Sequence, residues 1–189
     1  MTRCIVQGRI VLTLACVLAA AGASARISNV TDPDAPRSLP AQGPVSVQWE
    51  DPAQFSEIRY SHNPSESRRG HWVEQLARYL REQAQARLPA GERLEVVITD
   101  IDRAGDFEPQ RSINLQDTRV IRELYPPRIE LRFRRLDAGG GVIAEGERKL
   151  TNSAFLHTGR TDSDPLRYEE DLIDTWVKRE LPAPVRAGS

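Results

Sequence analysis

Residues 94–109, LEVVITDIDRAGDFEP, run from a β-branched stretch directly into a cluster of carboxylates. Val96, Val97, Ile98, Thr99 and Ile101 suit a pleated backbone. Alternation puts Leu94, Val96 and Ile98 on one face and Glu95, Val97, Thr99 and Ile101 on the other. Apolar groups on both faces predict an inner strand of a sheet, not a solvent-washed edge. The same period of two then brings up Asp100 and Asp102, about 7 Å apart on a strand rising about 3.3 Å per residue. Two like charges do not persist in an apolar core without cations or a raised pKa. The covered part of that face is therefore expected to stop near Ile98, with Gly105 bending the chain and Asp106, Glu108 and Pro109 continuing into a loop.

The first 25 residues predict an export signal. Arg3 and Arg9 give a positive start, residues 10–22 an apolar stretch, and Ala23-Ser24-Ala25 a small-x-small cleavage site. The apolar stretch is too short for a stable bilayer anchor, so the expected destination is the periplasm or the exterior. Cys16 after Leu14-Ala15 raises the alternative of a lipoprotein. Thr13 stands where a lipid-attachment motif favours Leu, and the apolar run continues past the cysteine, so cleavage after Ala25 is preferred. Both cysteines, Cys4 and Cys16, lie inside the signal. The exported chain then has no thiol for a disulfide, for catalysis or for a metal, and must rely on a packed core. Without Arg3 and Arg9, 24 of the 26 basic residues face 27 acidic ones, a net charge near −3. That balance gives no drive towards nucleic acid.

Along the chain, residues 26–44 carry Asp32-Pro33, Pro36, Pro40 and Gly43 and predict an extended, mobile linker. Val45, Val47 and Trp49 mark a short strand closed by Asp51-Pro52. Residues up to Arg69 predict a loop with a short turn around Phe55 and Ile58. From Gly70 to Leu88, the spacing of Trp72, Val73, Leu76, Tyr79, Leu80, Ala84 and Leu88 predicts an amphipathic helix. After the acidic exit, Val120, Ile121, Leu124 and Tyr125 fit a short helical turn ended by Pro126-Pro127. Ile129, Leu131 and Phe133 alternate with Glu130, Arg132 and Arg134, and Asp137–Gly141 predicts a hairpin into residues 142–150. Glu145, Glu147 and Lys149 are expected opposite the arginines as a charge ladder. Asp164-Pro165 predicts the start of a last helix, with Asp164 as N-cap, Pro165 at its first position, and Leu166, Ile173, Trp176 and Val177 as its apolar stripe. Glu169, Glu170 and Asp171 suit its dipole. The order implies one α+β domain over residues 45–181: a largely antiparallel sheet of about four strands with both long helices on one face, and residues 182–189 as a disordered tail.

Asp100, Asp102, Asp106 and Glu108 are the candidate ligand-binding residues. Their competing reading is a solvated strand exit whose charges pair with arginines, and that reading is preferred. A calcium loop is excluded, because Ala104 stands where an oxygen ligand is needed and Arg111 where the closing Glu should be. His62, His71 and His157 are the only histidines, and none sits in a metal-binding spacing. The chain has no G-x-S-x-G and no phosphate loop, and the triple glycine precedes a strand, not a helix. No cofactor, metal or catalytic residue is expected. Two function classes remain: a non-catalytic binding or accessory protein of the envelope, whose partner is an envelope protein or a small ligand, and a carboxylate-based or metal-dependent hydrolase built on the acidic exit. A deep pocket holding two or more of those carboxylates favours the second.

The blocks LEVVITDIDRAGDFEP, YPPRIELRFR, GERKL and SDPLRYE, in that order before a terminal helix, resemble the bacterial exported family called domain of unknown function 3016. The resemblance spans residues 45–181. It implies an exported proteobacterial protein and carries over no activity, ligand or catalytic residue.

Overall fold

The computed structural model describes residues 28–111, 116–158 and 163–181. The expected signal and the expected C-terminal tail lie outside them. β1 is Val45–Trp49, and after a 3-10 turn at Pro52–Gln54 come two short helices, α1 (Ser56–Arg59) and α2 (Pro64–Ser67). The long helix α3 (Trp72–Gln85) leads to β2 (Arg93–Asp102), then β3 (Asp106–Phe107) and β4 (Arg119–Val120). The hairpin β5 (Arg128–Leu136) and β6 (Val142–Thr151) follows, then α4 (Phe155–Thr158) and α5 (Arg167–Glu180).

The main sheet has the order β1-β2-β5-β6, with β1 parallel to β2 and the other two pairings antiparallel. This is an α+β architecture: a four-stranded mixed sheet with α3 and α5 packed against it. β2 is an inner strand as expected, but its burial is one-sided. Leu94, Val96 and Ile98 are buried beside Val47 of β1 and Leu131 and Phe133 of β5, whereas Glu95 is exposed and Val97 only half-buried. Both helices cover that one face. Leu76 and Leu80 of α3 join Ile173 and Trp176 of α5 in a single core, and Trp176 meets Phe133 edge to face at 5.8 Å. Tyr79 Oη donates to Asp174 Oδ1 at 3.0 Å and ties the two helices together.

Four local expectations need correction. Thr99 has no partner on β5, because Ile98 faces Leu131 and Asp100 already faces Glu130. One extra residue resets the alternation, so the buried Ile101, opposite Ile129, continues the core face past Ile98, and Asp100 and Asp102 turn away from it. Val120, expected in a helical turn with Ile121, Leu124 and Tyr125, lies instead in an extended pair, Arg119-Val120 antiparallel to Asp106-Phe107. α5 begins at Arg167 and not at Pro165, because the Asp164 carboxylate accepts from Leu166 N at 2.7 Å and closes a turn ahead of the helix. Residues 28–44 also contribute to the core: Leu39 is buried, and Leu39 N donates to Val47 O at 3.0 Å.

The hairpin follows the predicted register. Arg132 faces Glu147, Arg134 faces Glu145 and Glu130 faces Lys149. Gly140 takes φ +88° in the turn, and Asp137 Oδ1 accepts from Gly141 N at 2.8 Å.

Candidate functional site

The chemistry at the acidic end of β2 is set by which donor each carboxylate finds. Asp51 caps the 3-10 turn by accepting from Ala53 N, and the chain then enters α1 with Phe55 and Ile58 buried as anchors. Ser56, at the start of α1, donates to Asp100 from both its backbone N and its Oγ, each at 2.6 Å. Asp100 is therefore a brace for α1. Asp102 pairs with Arg128 across the β2–β5 ladder. Burial raises its pKa, and the Arg128 guanidinium opposes that rise.

Asp106 Oδ2 lies 2.6 Å from His62 Nδ1, and its Oδ1 accepts from Phe107 N at 2.7 Å. Glu108 is buried and pairs through Oε2 with Arg111 and Arg122, each at 3.0 Å, while Tyr125 Oη donates to its Oε1 at 3.3 Å. All four candidate acids are thus engaged by donors of this chain. Asp102 and Asp106 line one cleft of about 180 Å³ together with Glu57, Arg103 and Arg128, and Asp100 and Glu108 lie outside it. That volume falls short of ordinary ligand pockets, which span about 300–1,000 Å³. Among the described residues, no group of three His, Cys, Asp or Glu side chains is placed to hold a metal ion. The histidines have separate partners: His62 meets Asp106, His71 meets Ser28 Oγ at 2.8 Å, and His157 meets Glu123 at 3.0 Å.

The centre of the site is a residue that sequence reasoning passed over. Glu57 of α1 is only 3% exposed. Its Oε2 accepts from Arg103 N at 3.0 Å, and its Oε1 accepts from Arg103 Nη2 at 2.9 Å and from Arg119 Nη2. Arg103 stacks on Trp72 with its guanidinium 4.7 Å from the ring, and Arg119 lies 4.9 Å over Phe107. Burial lowers the Arg103 pKa, against the Glu57 charge that raises it. On the other side of the same segment, Glu169 of α5 is 0% exposed and accepts from Ala104 N at 2.6 Å. Burial pushes its carboxyl up to about 7. A signal for Glu169 was present, since it stands three, four and seven residues before Leu172, Ile173 and Trp176 and so lies on the apolar stripe of α5. Glu57, between two core anchors in a polar stretch, had none.

Gly105 makes this geometry possible. It takes φ +79°, its N donates to Tyr125 O at 2.9 Å, and Arg119 Nη1 donates to its carbonyl at 2.7 Å. A Cβ there would stand 2.7 Å from Val120 O. Gly105→Ala combines a left-handed backbone with a clash against β4, and a loss of about 1–3 kcal/mol is expected in urea melts. An unchanged midpoint would mean that the β3–β4 ribbon shifts freely.

No curated protein and no solved structure matches this chain. The family model described as a protein of unknown function, DUF3016, matches residues 43–179, which cover the whole sheet, α3, all of α5 but its last residue and the Glu57 network, and the chain belongs to that family.

Proposed function

We propose that this is an exported, non-catalytic binding or accessory protein of the cell envelope, which meets its partner with the uncovered face of its sheet. Export is supported by the Arg3 and Arg9 start, the apolar stretch and the Ala23-Ser24-Ala25 site. The observation that carries the binding role is the charge ladder opposite the helices. Arg132 pairs with Glu50 at 2.8 Å, Arg134 lies 3.5 Å from Glu95 and 3.6 Å from Glu145, and Lys149 pairs with Glu130 at 3.0 Å. Around Val97, the side chains of Glu95, Arg132, Arg134, Glu145 and Glu147 wall a shallow depression of about 370 Å³. Exposed pairs of this kind contribute only about 0–1 kcal/mol each to stability. Ordered charges of both signs do favour one docking register over others.

The hydrolase reading has one observation in its favour, the cleft shared by Asp102 and Asp106. Against it, Asp102 is held by Arg128 and Asp106 by His62. The test is capture of a partner from envelope extract by the tagged chain and by the Arg132→Glu/Arg134→Glu double variant. The binding reading expects capture by the parent and loss in the variant, with melting midpoints close to each other. Equal capture by both would sink it, as would hydrolysis of ester, phosphoester or peptide substrates that Asp106→Asn abolishes.

A further inference from the structure

The Glu169 carboxyl is fully buried, and only one of its oxygens is used. Oε1 accepts from Ala104 N at 2.6 Å, whereas Oε2 has no hydrogen-bond partner among the described residues. A buried oxygen without a donor is tolerable in a neutral acid and costly in a carboxylate. The neighbouring charges do not remove that cost. Arg103, after β2, is directed at Glu57 of α1, and Arg119 of β4 is directed at Glu57 and at the Ala104 and Gly105 carbonyls. Burial is the largest influence on Glu169 and favours its neutral form; the Ala104 and Glu169 backbone N–H groups and the Arg103 charge oppose it, and the nearby Glu57 charge adds to it. α4 adds the ring of Phe155, which meets Tyr168 edge to face at 4.8 Å, and its His157 is turned outward to Glu123. Ala104, Phe155 and Tyr168 form a small apolar cluster of their own, separate from the main core.

We propose that Glu169 is a pH-sensitive latch, which holds the first turn of α5 against the end of β2 while protonated and loosens that corner when it ionises. The corner is the junction of Ala104, Gly105, α4 and the start of α5. Its opening exposes the Phe155–Tyr168 cluster without unfolding the sheet, as local openings do.

The sign follows from the two protonation states. An exposed glutamate ionises near 4.5, whereas the buried one holds its proton to about 7. Between those values the closed corner binds a proton that the open corner has lost, so closure weakens as pH rises and levels off above the upper value. Asp102 is also raised by burial, but it faces Arg128 on the β5 side.

Amide hydrogen exchange at Ala104 in the full chain reads the latch directly. From pH 5 to pH 8 its protection factor, corrected for intrinsic exchange, is expected to fall by roughly fiftyfold to a hundredfold. Ile98 in mid-sheet should change far less. In E169Q, which keeps the acceptor for Ala104 N and cannot ionise, the Ala104 protection should be independent of pH, whereas D102N should keep the parental slope. Constant Ala104 protection in the parent would overturn the proposal whether or not E169Q folds. An E169Q slope equal to the parent's, or a slope lost in D102N, would do the same.

Discussion

Glu57→Ala is expected to be among the most damaging single substitutions in this chain, lowering stability by about 3–5 kcal/mol. The reason is what it leaves behind. Arg103 and Arg119 are only 16% and 19% exposed at their side chains, and both direct a guanidinium at the Glu57 carboxylate. Removing that carboxylate strands two largely covered cations and also deprives Arg103 N of its acceptor. A typical domain has about 5–15 kcal/mol in total, so the urea midpoint should move far. Glu95→Ala is the control, since its carboxylate is half exposed and 3.5 Å from Arg134, and it should shift the midpoint hardly at all. Equal, small shifts for both would mean that the Glu57 arginines relax into water and that the network does not hold the corner.

Ile98→Ala should cost about 2–5 kcal/mol, the range for truncating a fully buried aliphatic side chain. Ile98 is 1% exposed and sits between Trp49 of β1 and Leu131 of β5 at the last regular pair before the bulge. The cavity would open beneath both long helices, and the flanking strands are hydrogen-bonded on each side, so little collapse can fill it. Val97→Ala, one residue away on the uncovered face, should cost well under half as much. A larger loss at Val97 than at Ile98 would reverse the assignment of the two faces.

What could be read from the residues follows from how each element announces itself. The β5–β6 hairpin was readable because alternation and a glycine-rich turn agree on one register, and the charge pairs then fall opposite each other without further information. α3 was readable because its apolar spacing persists over several turns. The bulge at Thr99 was not, since one extra residue leaves no mark in composition and is defined only by the partner strand. The β3–β4 ribbon pairs two residues with two, too few for any period to show. Asp164-Pro165 carries a genuine capping pattern, but the carboxylate closes a turn two residues early. The candidate acids were found, yet their partners were not. Ser56, His62, Arg122 and Arg128 all lie outside the acidic run, and nothing local links any of them to the acid it meets.

Each carboxylate at the end of β2 is engaged by a donor of this chain, and we propose that these acids serve the fold and not a cation. Thermal melts with and without millimolar calcium or magnesium test this, because an ion bound only by the folded state stabilises it by mass action, by about 2.7 kcal/mol at a hundredfold excess over its Kd, and so raises the midpoint. The same midpoint is expected with either ion as without. A midpoint raised by calcium or magnesium in the parent, and not in Asp102→Asn/Asp106→Asn, would contradict it.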